Sequence, residues 1–160
     1  MRVKVGSRAP EFTLPAQDGS QVTLQDLTSK GPVVLYFYPM DNTPGCAAEA
    51  CFFRDSYEAF QQAGAEVVGI SSQSTESHAG FARKHNLPFK LLSDAGGKVR
   101  KSYGVPKGFG LLPGRTTFVV DRHGIVRNVF DSQLRIGRHV QEALAVIKRI
   151  TSGVAQSASV

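Results

Sequence analysis

Residues 33–38 read Val-Val-Leu-Tyr-Phe-Tyr, an apolar run closed by Gly31-Pro32 before it and Pro39 after it. A short run without alternation suits a strand buried on both faces, and such a strand needs a covering layer above and below. A turn rich in Pro and Gly follows, and the pattern predicts a helix from about Pro44 to Ala63. Phe53, Tyr57 and Phe60 recur along it at helical spacing, and Gly64 stands where a glycine closes a helix. A buried strand that feeds an amphipathic helix points to the α/β class.

The rest of the chain fits that class. Phe12-Thr13-Leu14 and Gln21-Val22-Thr23-Leu24 flank Asp18-Gly19, a hairpin turn signal. Glu66 to Ser71 is a second buried strand, and Ser74-Thr75 can cap a helix that reaches about His85 before Pro88. Leu91-Leu92 is a short strand, and Ala95 to Tyr103 a short helix weakened by Gly96-Gly97. Residues 104–114 read as a loop rich in Gly and Pro. Thr116 to Asp121 and Ile125 to Phe130 read as two strands joined at Arg122-His123-Gly124. The last helix is expected from Ile136 to Ile150, with Val140, Leu144 and Ile147 on its apolar face, followed by a small, polar, flexible tail over 151–160. This order implies a mixed central β-sheet flanked by helices, an N-terminal β-hairpin, and a single domain over 1–150.

Composition sets outer limits. The chain has 160 residues, 41% hydrophobic and 20% charged, close to the globular average. No apolar run approaches the ~18 residues of a membrane-spanning helix, and Met1 to Val5 does not read as a signal peptide. A cytoplasmic protein is expected, or the mature form of an organellar one. The net charge is +6, but the basic residues are dispersed. The densest group, Lys98, Arg100, Lys101 and Lys107, reads as solvated surface charge, so neither nucleic acid nor membrane is expected as a partner. His78, His85, His123 and His139 read as solvated helix and turn residues, and Met40 and Phe52 as packing residues.

The chemistry lies with two cysteines, Cys46 and Cys51. A reducing compartment would keep such a pair from serving as a permanent staple. Cys46 falls at a helix start, where free backbone N–H groups and the positive end of the helix dipole favour a thiolate below the free thiol value of ~8.5. A thiolate that attacks a peroxide oxygen becomes a sulfenic acid. On one continuous helix the two cysteines are offset by about 7.5 Å along the axis and about 140° around it, which puts their Cα atoms roughly 8.6 Å apart. That exceeds the ~7 Å span of a disulfide, so a bond between them requires the first helical turns to unwind. Two other thiol chemistries fit less well. Disulfide exchange favours Cys-x-x-Cys, and a soft-metal site would need a histidine that no neighbouring position supplies.

Tyr38-Pro39, Thr43-Pro44-Gly45-Cys46 and Cys51 together resemble the active-site loop of peroxiredoxins, most closely the bacterioferritin comigratory protein or peroxiredoxin Q group. Gly6, Ala9-Pro10-Glu11-Phe12-Thr13-Leu14 and Leu112-Pro113-Gly114-Arg115-Thr116-Thr117-Phe118 resemble the same group. The resemblance implies a thioredoxin-like fold and a monomer that reduces hydrogen peroxide and organic hydroperoxides. It implies thioredoxin or a similar dithiol donor as reductant, and no cofactor or metal. By position, Cys46 would be the peroxidatic and Cys51 the resolving cysteine. Thr43 would bond the thiolate and the peroxide, Pro39 would shield the site from water, and Arg115 would hold the thiolate and polarise the peroxide. One departure is Ala47, where the group usually has Thr.

Overall fold

The structure, a computed structural model, describes residues 3–105, 107–108, 112–132 and 134–158. The buried run forms β3 (Val33–Phe37), the middle of a five-stranded sheet. Parallel to it lies β4 (Glu66–Ser71), and beyond that β5 (Lys90–Ser93), also parallel. On the other side β8 (Thr116–Val120) runs antiparallel, and β9 (Val126–Asp131) pairs with β8 as a hairpin. The sheet order is β5-β4-β3-β8-β9.

Alternation along β3 divides the core. Val34 and Tyr36, with Tyr38 just beyond, face three helices: α2 (Pro44–Gln62), α3 (Thr75–His85) and α5 (Ile136–Ala158). Val33, Leu35 and Phe37 face the opposite layer. That layer contains the N-terminal hairpin of β1 (Thr13–Pro15) and β2 (Gln21–Thr23), α1 (Leu24–Lys30), and α4 (Lys98–Tyr103). The mixed sheet, helices on both faces and N-terminal hairpin expected from the sequence are all present.

Three local features differ from the sequence reading. Leu24 begins α1 instead of ending a strand, because the Thr23 hydroxyl accepts from Asp26 N at 3.0 Å and starts a helix there. Within 104–114, β6 (Lys107–Gly108) pairs with β7 (Leu112–Pro113), while residues 106 and 109–111 lie outside the described residues. The backbone of α5 continues past Ile150 to Ala158.

Gly69 in β4 shows how closely the α2 side is filled. A Cβ there would lie 2.7 Å from Tyr36 Cζ and 2.8 Å from Leu91 Cδ2. Tyr36 cannot withdraw easily, since its ring stacks on Phe53 at 4.5 Å between centroids. Gly69→Ala is expected to destabilise the domain by roughly 1–3 kcal/mol, as overpacked cores do. Urea denaturation measures this, and an unchanged midpoint would show that Tyr36 gives way freely.

Candidate active site

The loop from β3 to α2 is pinned before it reaches Cys46. The Pro39 carbonyl accepts from Ser71 Oγ at 3.3 Å. Asp41 is buried and accepts from the Tyr38 and Ser77 hydroxyls, each at 2.7 Å. His78 Nδ1 lies 2.7 Å from Asp41 Oδ2, and Nε2 lies 3.1 Å from the Leu92 carbonyl. An acceptor thus faces each ring nitrogen, so both ends of the ring are fixed. Burial works to raise the Asp41 carboxyl, but bonds from His78, Tyr38 and Ser77 and the His78 charge outweigh it, leaving the group below its ordinary range. His78 is therefore a buried anchor and not the solvated residue expected. Its position three residues before the apolar Phe81, on the buried face of α3, was the available signal.

Thr43 occupies the N-cap position of α2, with Pro44 in the first turn. Its hydroxyl donates to the Met40 carbonyl at 3.2 Å and makes no cap bond to the helix. Cys46 follows in the first turn and is buried. Arg115, in the segment just before β8, reaches across to it. Its Nη2 donates to Cys46 Sγ at 3.4 Å, and its Nη1 to Glu49 Oε1 at 2.5 Å. Cys46 and Glu49 lie three residues apart, on one face of α2, so a single planar fork spans both. Gly45 leaves space for that fork, since a Cβ there would sit 3.2 Å from Arg115 Nη2.

Arg115 and Glu49 are both buried, at 6% and 0% exposed. Burial opposes the Arg115 charge, but Glu49 and Cys46 outweigh it and raise the guanidinium's hold on its proton. For Glu49 burial wins over Arg115, and the carboxyl is pushed up to about 7. Among the described residues Oε1 has a hydrogen-bond partner and Oε2 is buried without one. Beside it sits His139, also buried and again not the solvated residue expected. Its Nε2 donates to the Ser132 carbonyl at 2.8 Å, and its Nδ1 lies 2.7 Å from Thr117 Oγ1. Burial, aided by the Arg115 charge, brings His139 down to about 4 against the bond to Ser132. The ring is neutral at neutral pH, and its 3.7 Å approach to Glu49 Oε2 is no ion pair.

Arg100 departs from the expected solvated charge as well. Its Nη2 donates to the Tyr38 carbonyl and its Nη1 to the Gly114 carbonyl, both at 2.7 Å, and so ties the β3 end to the Arg115 segment. Burial lowers its proton affinity, partly offset by Asp94 and Cys46. Sequence reasoning missed Glu49, Arg100 and His139 as contributors. A charged residue on the apolar face of α2 was the visible sign for Glu49; nothing local marked the other two.

Cys51 faces away from Arg115, toward α3. Its sulfur lies 3.8 Å from His85 Nδ1, and both residues are half-buried. The histidine absent from the neighbouring sequence is supplied by the fold. His123 alone of the four is exposed as expected. Met40 and Phe52 are 37% and 48% exposed, so neither packs into the core. Both cysteines are free thiols, and both lie in α2. Of the residues singled out from the sequence, Cys46 and Arg115 touch, Thr43 stands at the start of the helix that carries Cys46, Pro39 lies in the loop before it, and Cys51 stands apart.

Residues 5–129 match the AhpC/TSA family. The chain is 53% identical over 150 residues to the chloroplastic peroxiredoxin Q of Sedum lineare, covering 93% of this chain and 80% of that protein. The chloroplastic peroxiredoxin Q of Triticum aestivum is 52% identical over 150 residues, covering 93% and 69%. Among solved structures, peroxidoxin BcpB from Mycobacterium tuberculosis superposes with a TM-score of 0.87 at 41% identity, covering 93% of this chain and 99% of that one. The relatives' chloroplastic names contradict the cytoplasmic expectation. The expectation failed because compartment is encoded in targeting signals read by receptors, and composition and core pattern carry no such address.

Glu49 and His139 make opposite contributions to the pH dependence of stability. Glu49 has a raised value in the fold, so its contribution is present below 4.5 and is lost as pH rises through about 7. His139 has a depressed value, so its contribution is present above 6.5 and is lost as pH falls through about 4. The two largely cancel between those limits. Denaturation midpoints of Glu49→Gln should rise with pH across this window, and those of His139→Gln should fall. Parallel slopes in the two variants would contradict the assignment.

Proposed function

The chain belongs to the AhpC/TSA family as a thiol peroxidase of the peroxiredoxin Q group, and on that premise we propose that Cys46 is the peroxidatic and Cys51 the resolving cysteine. The Cys46 thiolate attacks one peroxide oxygen, the O–O bond breaks, and the other oxygen leaves as an alcohol or water after taking up a proton. Cys46 is left as a sulfenic acid. The observation that carries this reading is the fork of Arg115, whose Nη2 lies 3.4 Å from the sulfur while Nη1 is held by buried Glu49. A guanidinium in that position donates to the sulfur and can stabilise charge on the departing oxygen. Thr43 serves as the second donor once its hydroxyl turns from Met40, and half-buried Pro39 limits water at the sulfur.

The second half of the cycle requires a local opening. Both cysteines are on α2, where helical geometry separates their Cα atoms by roughly 8.6 Å. The first turns of α2 unwind, Cys51 attacks the sulfenic sulfur, and water leaves as the disulfide forms. Thioredoxin or a similar dithiol then reduces that bond. The cycle as proposed needs no second copy of the chain, and we take the catalyst to be a monomer.

One equivalent of hydrogen peroxide, quenched within about a second and mapped by peptide mass, should yield a Cys46–Cys51 disulfide. Cys46→Ser should abolish it, and Cys51→Ser should halt at the Cys46 sulfenic acid. Arg115→Ala should slow sulfenic acid formation about 100-fold, the scale of losing one donor to a developing oxyanion. If both thiols survive for minutes at neutral pH, the assignment of Cys46 and Cys51 fails.

A further inference from the structure

The resolving step needs its own activation. A thiol is a poor nucleophile, and Cys51 lies five residues beyond Cys46 and about 140° around the helix, away from the Arg115 fork. We propose that His85 is the acid–base partner of Cys51, taking the thiol proton as Cys51 attacks the Cys46 sulfenic acid and returning it to the departing hydroxyl. The proposal rests on the assignment of Cys51 as the resolving cysteine.

The geometry is specific. His85 closes α3 and presents Nδ1 to Cys51 Sγ at 3.8 Å. Its ring stands edge-on to the buried Phe81, with centroids 4.9 Å apart, which limits its rotation. Its carbonyl accepts from Arg54 Nη1 at 2.8 Å, and Arg54 lies one helical turn past Cys51. The thiol, the imidazole and the guanidinium thus form one contact between α2 and α3. Phe53 and Phe60 of α2 are fully buried, so the helix beyond Cys51 stays seated when the first turns open. Cys51 therefore keeps its base while the sulfenic acid travels to it.

The step balances without another reactant. The Cys51 S–H bond breaks and its proton moves to Nδ1. The Cys51 sulfur bonds to the Cys46 sulfur, the Cys46 S–O bond breaks, and the hydroxide takes the proton from His85 and leaves as water. The sulfenic sulfur is reduced as the thiol sulfur is oxidised. In the reverse direction His85 can protonate Cys51 when a dithiol cleaves the disulfide. The charged groups around the pair are Arg54 and its partner Asp55 on α2, and Arg83 and Lys84 on α3.

Rapid-quench mass mapping across a pH series separates the two chemical steps. His85→Gln should form the Cys46 sulfenic acid as fast as the parent chain. Its conversion to disulfide should slow about 100-fold near neutral pH, the low end of a general-base contribution. Above about 8.5, where a free thiol ionises unaided, the difference should close. In His85→Ala, added imidazole should restore part of the rate. Disulfide formation at the parent rate in His85→Gln, or slowing by the same factor at every pH with no imidazole rescue, would overturn the proposal. Failure of the parent chain to form sulfenic acid would overturn the peroxidase assignment itself, and the first step reads that separately.

Discussion

A guanidinium shared between a sulfur and a carboxylate, all three buried, organises this protein. Arg115 is held at that depth by Glu49, whose Oε1 accepts from its Nη1. Glu49 is tolerated there because Arg115 offsets part of its desolvation. The fork then has one arm left for Cys46. Much of the surrounding structure keeps that arm in place. Arg100 ties Gly114, next to Arg115 in the chain, to the end of β3. Gly45 leaves space for the guanidinium, and Asp41 with His78 fixes the approach to α2.

This dependence explains the charge state of the interior. A carboxyl raised to about 7 and a histidine lowered to about 4 lie side by side. Each is displaced toward its neutral form by the same cause, removal from water. The guanidinium beside them is a group whose chemistry does not allow neutralisation in this range, so Arg115 keeps its charge beside the sulfur.

The sequence carried most of the architecture, because buried strands and amphipathic helices follow from local pattern. Val33 to Tyr38 and Glu66 to Ser71 had no alternative role, and the helix around Phe53 and Phe60 follows from spacing. Cys46 was marked by its place at a strand-to-helix turn, whereas Thr43, Pro39 and Arg115 came forward by resemblance alone; a lone arginine before a strand has no local signature. What escaped were pairings between distant segments: Arg100 with Tyr38, His139 with Thr117, and His85 with Cys51. A polar residue reads as solvated until its partner is known, and the partner lies tens of residues away. α1 escaped for a different reason: its cap, Thr23 with Asp26, was overlooked behind a strand-like run.

The pinning of the active-site loop has a consequence for how stability and turnover relate. Asp41 holds one end of a short segment, and Phe53 holds the other from the fully buried core. Cys46 and Cys51 both fall between them, so the opening that carries Cys46 to Cys51 lies within that span while the sheet and its far layer stay closed. Local opening and global unfolding are then separate equilibria with separate free energies. Substitutions that raise the melting temperature by improving the hairpin layer would leave the frequency of opening unchanged. Substitutions between Asp41 and Phe53 could alter that frequency with little trace in a thermal melt.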